Sequence, residues 1–185
     1  RSRGLGDVYK RQGLLFMKFQ ELKGACIASS VYAKGEQIGY NIPIKLPEVT
    51  PVIVEIQAAG GKLELPVWQQ VEAMEASITK TGVSKEFLES LTPEPFDLIS
   101  NVAQQSVSAD GTSTAQHIKA FMRVIPKSAP GVEITAGEAS ENELPFTVLS
   151  YQLYVDGNKY LDIDVVKGVC WINGKDYSES IRSML

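Results

Sequence analysis

The sequence is poor in histidine and cysteine, has no long apolar run, and carries no excess of positive charge. Of its 185 residues one is histidine, His117, and two are cysteines, Cys26 and Cys170. Zinc sites, facial triads and helical His pairs draw on several His or Cys ligands, so no metal site is expected. The cysteines have no CxxC spacing, which removes the common redox motif, and they read as two buried thiols of a reducing compartment rather than a disulfide. There is no Asn-x-Ser/Thr sequon, and the apolar runs are only a few residues long, far short of the roughly 20 a bilayer-spanning helix needs. The monomer is therefore expected to be soluble, intracellular when made, and not inserted in a membrane. Lys plus Arg number 18 against 22 Asp plus Glu, a net charge of −4, which disfavours a domain built to neutralise nucleic-acid phosphate. What remains is an ordinary globular composition, 44% hydrophobic and 22% charged, at a length typical of one domain.

The start of the chain is different. Gly6 to Gln12 reads Gly-Asp-Val-Tyr-Lys-Arg-Gln, the translation of GGAGATGTGTATAAGAGACAG, which resembles the end of a transposase-type library adapter; Ser2 to Leu5 continues the same frame upstream. Residues 1–16 are expected to be non-native, adapter-derived and upstream read-through, with Met17 the natural start and 17–185 a single domain. The competing reading is a basic arm that touches nucleic acid or a partner. Without Arg1, Arg3, Lys10, Arg11 and Asp7 the net charge moves from −4 to −7.

Along the rest of the chain the period-two alternation of strands dominates. Val31 to Ile44 alternates on both sides of Lys34-Gly35, a hairpin signature. Lys45 to Lys62 carries Pro47 and Pro51, an extended Val52 to Ile56, then Ala58-Ala59-Gly60-Gly61, and reads as a projecting β-arm. Gly61-Lys62 is not a phosphate loop, because Ile56 stands where the first Gly should be and Leu63 where Ser or Thr should follow. Glu72 to Thr81 reads as a strand, and Ser84 to Leu91 as a short capped helix with Phe87, Leu88 and Leu91 on one face. Phe96 to Val107 leans to a strand, turned by Asp110-Gly111 into Ala115 to Ile125. Pro126 to Asn142 is a long loop rich in Gly, Pro, Ser and Ala. Phe146 to Val155, Lys159 to Val166 and Gly168 to Ile172 form a meander through Asp156-Gly157, ending at Asn173-Gly174, and Tyr177 to Leu185 forms a terminal helix with Tyr177, Ile181 and Met184 or Leu185 on one side. The fold class is mainly β, a sandwich or partly closed barrel with one or two short helices and the arm.

Candidate chemistry is thin. His117 lies on the polar side of its strand beside Lys119 and Arg123, where it suits a general base, but no Ser or Cys elbow accompanies it. Asp162 and Asp164 share one strand face and suit a carboxylate pair or a cation, yet no third ligand is in sight, and a solvated face with Leu161, Ile163 and Val165 on the core side is preferred. Trp68, Tyr151, Tyr154, Tyr160 and Trp171 lack the basic groove of a stacking platform and read as core and interface packing. No catalytic or cofactor-binding residue and no cofactor is assigned, and an enzyme using His117 with Asp162 or Asp164 is the rival of a different class.

The order of elements carries more information than any one residue. Tyr151-Gln-Leu-Tyr-Val-Asp-Gly-Asn-Lys-Tyr-Leu-Asp-Ile-Asp164, Trp171-Ile-Asn-Gly-Lys-Asp176 and Ile181-Arg182, preceded by the Lys34-Gly35 hairpin, the Ile44 to Pro47 step and Ala59-Gly60-Gly61, resemble the major tail tube proteins of contractile phage tails. The resemblance runs from about Val31 to Arg182, and departs at Ser100-Asn101-Val102 and from Gly61 to Trp68. It implies a tail-tube fold and a structural subunit forming stacked sixfold rings, the inner tube of a phage tail or tailocin. Its implied partners are tail sheath, baseplate or tube initiator and tape-measure proteins, with DNA passing through the lumen unbound. Its implied place is the virion tail, assembled in the bacterial host cytoplasm. A tube initiator, terminator or secretion-tube protein forming single rings shares these features. The arm then suits ring or subunit contacts, with Leu46, Pro47, Val49, Val52, Val54, Ile56, Gly60 and Gly61 as the contact residues, because its edges and apolar residues need neighbours to cover them. A negative wall would let DNA slide without sticking.

Overall fold

The computed structural model describes residues 22–82, 85–89, 92–108, 111–129 and 141–184. Among them the strands are β1 (Leu22–Ala33), β2 (Glu36–Tyr40), β3 (Ile44–Lys45), β4 (Pro51–Ala58), β5 (Gly61–Val71), β6 (Met74–Thr81), β7 (Phe96–Val107), β8 (Ser113–Pro126), β9 (Glu141–Val155), β10 (Asn158–Asp164), β11 (Val169–Ile172) and β12 (Lys175–Asp176). Two helical turns, α1 (Lys85–Glu89) and α2 (Glu179–Arg182), complete the chain order. The expected non-native segment 1–16, the cap Ser84, the helix end Leu91, Asp110 and most of the Pro126 to Asn142 loop fall outside the described residues.

Three hairpins arise from dipeptides that accept a left-handed backbone at both positions. Lys34 and Gly35 have φ of 52° and 85°, Asp156 and Gly157 49° and 81°, Asn173 and Gly174 47° and 88°. Paired positive φ values define the turns whose twist matches the flanking strands. The resulting antiparallel sheet follows the path β12-β11-β10-β9-β8-β7-β1-β2, with β6 paired to β9 and β3 paired to β6, while β4 and β5 form a sheet of their own.

Strand β9 branches the sheet. Its residues Glu141 to Val148 pair with β6 and Ser150 to Val155 with β10, while Phe146 to Val155 pair with β8 on the opposite edge. Strands β6 and β10 therefore lie end to end along one edge of β9, and Val165 N–H donates to the Leu149 carbonyl at 3.0 Å at the junction. A single apolar cluster draws Val31, Ala33 and Ile38 from one end of the path and Met74, Ile78, Leu144 and Phe146 from the branch. Such sharing requires the sheet to curl over on itself. Phe146 and Phe96 meet edge to face at 5.8 Å inside this core, and the Lys80 ammonium donates to the Ile38 carbonyl at 2.9 Å across the mouth. The ladder stays open, with β2 and β12 as ends. The mainly β expectation holds as a curled antiparallel sheet that is not closed into a barrel.

Several local expectations are corrected. Strand β10 stops at Asp164, so Val165 sits in the following turn and is 48% exposed instead of facing the core. Strand β9 already begins at Glu141, with Asn142 buried, which shortens the expected loop. Leu88 of α1 is exposed, so it does not share a covered helix face. Helix α2 buries none of its residues, and Tyr177 and Ile181 point out. Polar contacts hold α2 instead. Tyr177 N–H donates to the Cys170 carbonyl at 2.8 Å, and the Ser178 hydroxyl accepts the Cys170 N–H at 2.9 Å. That hydroxyl and the Ser178 N–H both donate to Asp176 at 2.9 Å, and Arg182 donates to the same carboxylate. The result caps β11, the kind of edge that otherwise pairs with other chains.

Candidate functional site

The arm is the part of the molecule that its own fold leaves unfinished. Strand β4 pairs with β5 from Ala58↔Gly61 to Pro51↔Val71, with an irregularity between Pro51 and Val52. Cross-strand neighbours share a face. One face carries Val52 with Val67, Val54 with Leu65 and Ile56 with Leu63; the other carries Ile53 with Pro66, Glu55 with Glu64 and Gln57 with Lys62. Val54, Ile56, Leu63 and Leu65 are 40–48% exposed, so the apolar side has no cover within the chain. On the polar side two glutamates stand directly opposite, a destabilising arrangement. Lys62 offsets one of them with an ion pair to Glu55 at 3.2 Å. Glu64 has no cation partner among the described residues.

The arm is attached at its root. Glu72 N–H donates to the Thr50 carbonyl at 2.9 Å. A cleft of about 410 Å³ opens between the root and the β10–β11 turn, lined by Val52, Gln69, Val71, Val165 and Val169 among others. The eight contact residues named from sequence divide here. Leu46 and Val49 pack against the core and Pro47 is buried; Val52 is half-buried at the root; Val54, Ile56, Gly60 and Gly61 are exposed along the arm and at its tip. Gly61, with φ +140°, opens β5 directly after the Ala59-Gly60 turn, where a side chain would be strained. Sequence reasoning missed β5 as the arm's second strand. Its signal was present in the alternation of Leu63, Leu65 and Val67 with Lys62, Glu64 and Pro66.

The second open surface is the outer side of the sheet over β8. Register places Tyr32, Ile99, Phe121, Gln152, Asp162 and Trp171 in one row across five strand pairings. Phe121 meets Tyr154 edge to face at 5.7 Å, and the Lys119 ammonium lies 4.7 Å from the centre of the Phe121 ring. Beside them runs a groove of about 380 Å³ whose walls include Ile99, Phe121, Gln152, Tyr154 and the Arg123–Asp97 ion pair at 2.9 Å. Trp171 carries the Lys159 ammonium 4.5 Å from its ring centre. Tyr151, by contrast, is buried, and burial pushes its hydroxyl up to about 12.

The candidate catalytic groups are not assembled. His117 is exposed, and its backbone N–H and carbonyl are bound to Asp156, at 2.9 and 2.8 Å. Asp162 is hydrogen-bonded to Lys159 at 2.9 Å and to Gln152 at 3.1 Å, which holds the Lys159 ammonium above its ordinary value. Asp164 accepts from Lys167 N–H at 2.8 Å. Asp162 shares its row with Phe121, four residues along β8 from His117, or about 13 Å at strand spacing and two strands away. Among the described residues no group of three or more His, Cys, Asp or Glu gathers to hold a metal. Cys26 is exposed and Cys170 buried, both as free thiols. The expectation of two buried thiols holds for Cys170 alone, because Cys26 sits at irregular pairing between β1 and β7. Burial pushes the Cys170 thiol up.

A family model described as "Phage tail tube protein FII" matches residues 26–185. The chain belongs to this phage tail tube family. That membership agrees with the mainly β architecture and with a tail-associated component. Among solved structures, the chain is similar to a chain of an extracellular contractile injection system, the PVC sheath–tube complex in the extended state, with TM-score 0.47 and 15% identity over 68% of this chain and 87% of that one. It is also similar to a chain of the PVC sheath/tube terminator in the extended state, with TM-score 0.46 and 13% identity over 68% and 92%. No curated protein sequence matches.

Proposed function

We propose that this tail tube family member is the inner-tube subunit of a contractile phage tail or tailocin, assembling with copies of itself into stacked sixfold rings around a channel. The observation that carries this reading is the arm, whose apolar side lies open from Val54 to Leu65 with no cover within the chain. An apolar stripe on a two-stranded ribbon is not stable in water without a partner surface. Subunit contact therefore concentrates on Val52, Val54, Ile56, Gly60 and Gly61, joined by Leu63 and Leu65, while Leu46, Pro47 and Val49 serve as the packed hinge. Sheath, baseplate or initiator and tape-measure proteins are the further partners, and the site of assembly is the host cytoplasm, with the virion tail as destination.

The acid excess has a place in such a channel. The outward side of β6 and of the first half of β9 bears Glu75, Ser77, Thr79, Glu141 and Glu143, a face of short polar side chains and carboxylates. Two cations lie on the same face: Lys127, which is bound to Glu75 and holds that carboxyl below its ordinary value, and Lys45, which stands opposite Ser77 and acts on Glu75 in the same direction. A wall of this kind repels polyanions and lets DNA pass without adhesion. Electron microscopy of the purified chain tests the reading: long tubes support it, single rings favour a tube initiator or terminator, and a chain that stays monomeric at high concentration overturns it. Replacing the arm from Ile53 to Pro66 by a short turn should leave a folded monomer that makes no tubes.

A further inference from the structure

The sheet path ends in two edges, and polar groups rather than full strands close them. At one end the Lys80 ammonium takes the Ile38 carbonyl of β2 at 2.9 Å. At the other end β11 pairs with β12 at only two positions, Trp171↔Asp176 and Ile172↔Lys175. The Cys170 N–H and carbonyl just before them are taken by the Ser178 hydroxyl at 2.9 Å and the Tyr177 N–H at 2.8 Å. Strand-edge groups of this kind are the ones another chain would pair with. Resting on the self-assembly proposed above, we propose that the segment from Lys175 to Met184 is an autoinhibitory latch, closed over the β11 edge in the free subunit and released when the subunit joins a second copy.

Three features mark the segment as releasable. Its fastening runs through one carboxylate: Asp176 accepts the Ser178 N–H and hydroxyl, both at 2.9 Å, and the Arg182 guanidinium. The helix does not sustain itself. With four residues α2 is a single turn, and its N-cap Ser178 makes no capping bond because the hydroxyl is spent on Cys170 and Asp176; an isolated turn of that length is unstable in water. Polarity is inverted as well. The polar groups of the segment face the body, while Tyr177, Ile181 and Met184, spaced four and three apart, are 36%, 44% and 82% exposed, and α2 buries none of its residues. A permanent cap would turn those apolar side chains inward. Segments with so little buried apolar contact open at the lowest free energy. Release hands the Cys170 N–H and carbonyl to a strand of the second copy and lets the three apolar side chains find cover. A closed latch withholds that edge, so the apparent affinity of subunit for subunit is reduced by the fraction that is open.

Loosening the latch tests it in the full chain. Asp176→Asn keeps the shape of the side chain but weakens every bond that fastens the segment, and should lower the concentration needed for assembly about tenfold, because the fraction of subunits with an open edge rises in proportion. Sedimentation velocity across a concentration series reads that concentration, electron microscopy identifies the product as tubes, and hydrogen exchange at Cys170 reports the opening. Arg182→Ala, at the outer end of the segment, should act in the same direction by about threefold, and it carries the test if melts show the Asp176 variant to be unfolded. Arg182→Lys retains the cation and should return towards the parent. Variants that open by exchange yet assemble like the parent, or less readily, overturn the latch while leaving the tube reading intact. So do variants whose Cys170 amide stays protected, and variants that collapse into amorphous aggregates, the behaviour of a mere edge guard. A parent and variants that all stay monomeric at every concentration overturn both readings.

Discussion

The arm and the body are written in the same period-two alternation, yet one ends exposed and the other closed. In β6 and the first half of β9 the apolar members, Met74, Ile78, Leu144 and Phe146, are almost completely buried. In β4 and β5 the corresponding members, Val54, Ile56, Leu63 and Leu65, stay 40–48% exposed. The difference lies in what stands opposite each strand. Branching at β9 brings β6 beneath the other end of the sheet, whereas β4 and β5 pair only with each other. An alternating pattern therefore specifies a face; whether the face belongs to a core or to an interface depends on topology.

That comparison can be broken most severely from the body's side. Phe146→Ala should cost about 3–5 kcal/mol of monomer stability, since it empties a fully buried ring site against Phe96. Chemical denaturation checks it, and a loss no larger than that of an arm variant would erase the distinction. A smaller effect is expected at the C-terminal cap. Ser178→Ala removes a buried hydroxyl, leaving the Cys170 N–H without its acceptor, at roughly 1–3 kcal/mol, and hydrogen exchange at Cys170 should accelerate.

The same cap gives a pH dependence. Burial raises Asp176, but the hydrogen bonds from Ser178 and the Arg182 guanidinium outweigh it and the carboxyl ends below its ordinary value. A lowered folded value means the contribution is complete above the ordinary carboxylate range and is lost as pH falls through the folded value. Hydrogen exchange around Ser178 should therefore rise below about pH 4 in the parent, and Asp176→Asn should remove that acid sensitivity. A smaller effect on monomer stability belongs to the arm. Ile56→Asp with Leu63→Asp should shift monomer stability by no more than about 0.5 kcal/mol while abolishing assembly, and a melt that drops sharply would show that the apolar stripe is covered within one copy after all. His117→Ala should leave both melt and assembly unchanged.

Much of this was legible in the residues. Lys34-Gly35, Asp156-Gly157 and Asn173-Gly174 announced their hairpins because few dipeptides accept two successive left-handed conformations. The Pro and Gly punctuation from Pro47 to Gly61 announced the arm. Other features depend on distant partners and leave no local trace. Leu46 and Val49 look like arm residues by proximity, but pack on the core because the arm bends away only after them. Nothing in β9 alone says that two strands will share one of its edges, since each of its pairings is to a strand far away or next door. The Asp176, Ser178 and Arg182 cap has the wrong spacing for apolar periodicity and was hidden behind the expectation of an amphipathic helix.

The branch at β9 also orders events in time. Strand β6 pairs through Met74↔Val148, so its edge towards β9 stays unpaired until the last quarter of the chain has been made. During synthesis the arm is complete well before then. At ribosomal speeds of about 5–20 residues per second the interval between Val71 and Val148 lasts roughly 4–15 s, a window in which a nascent ribbon with one greasy side could pair with its counterparts on neighbouring ribosomes. Glu55 and Glu64, awkwardly opposed in the finished arm, are well placed as gatekeepers during that wait, because like charges on every ribbon keep nascent arms apart.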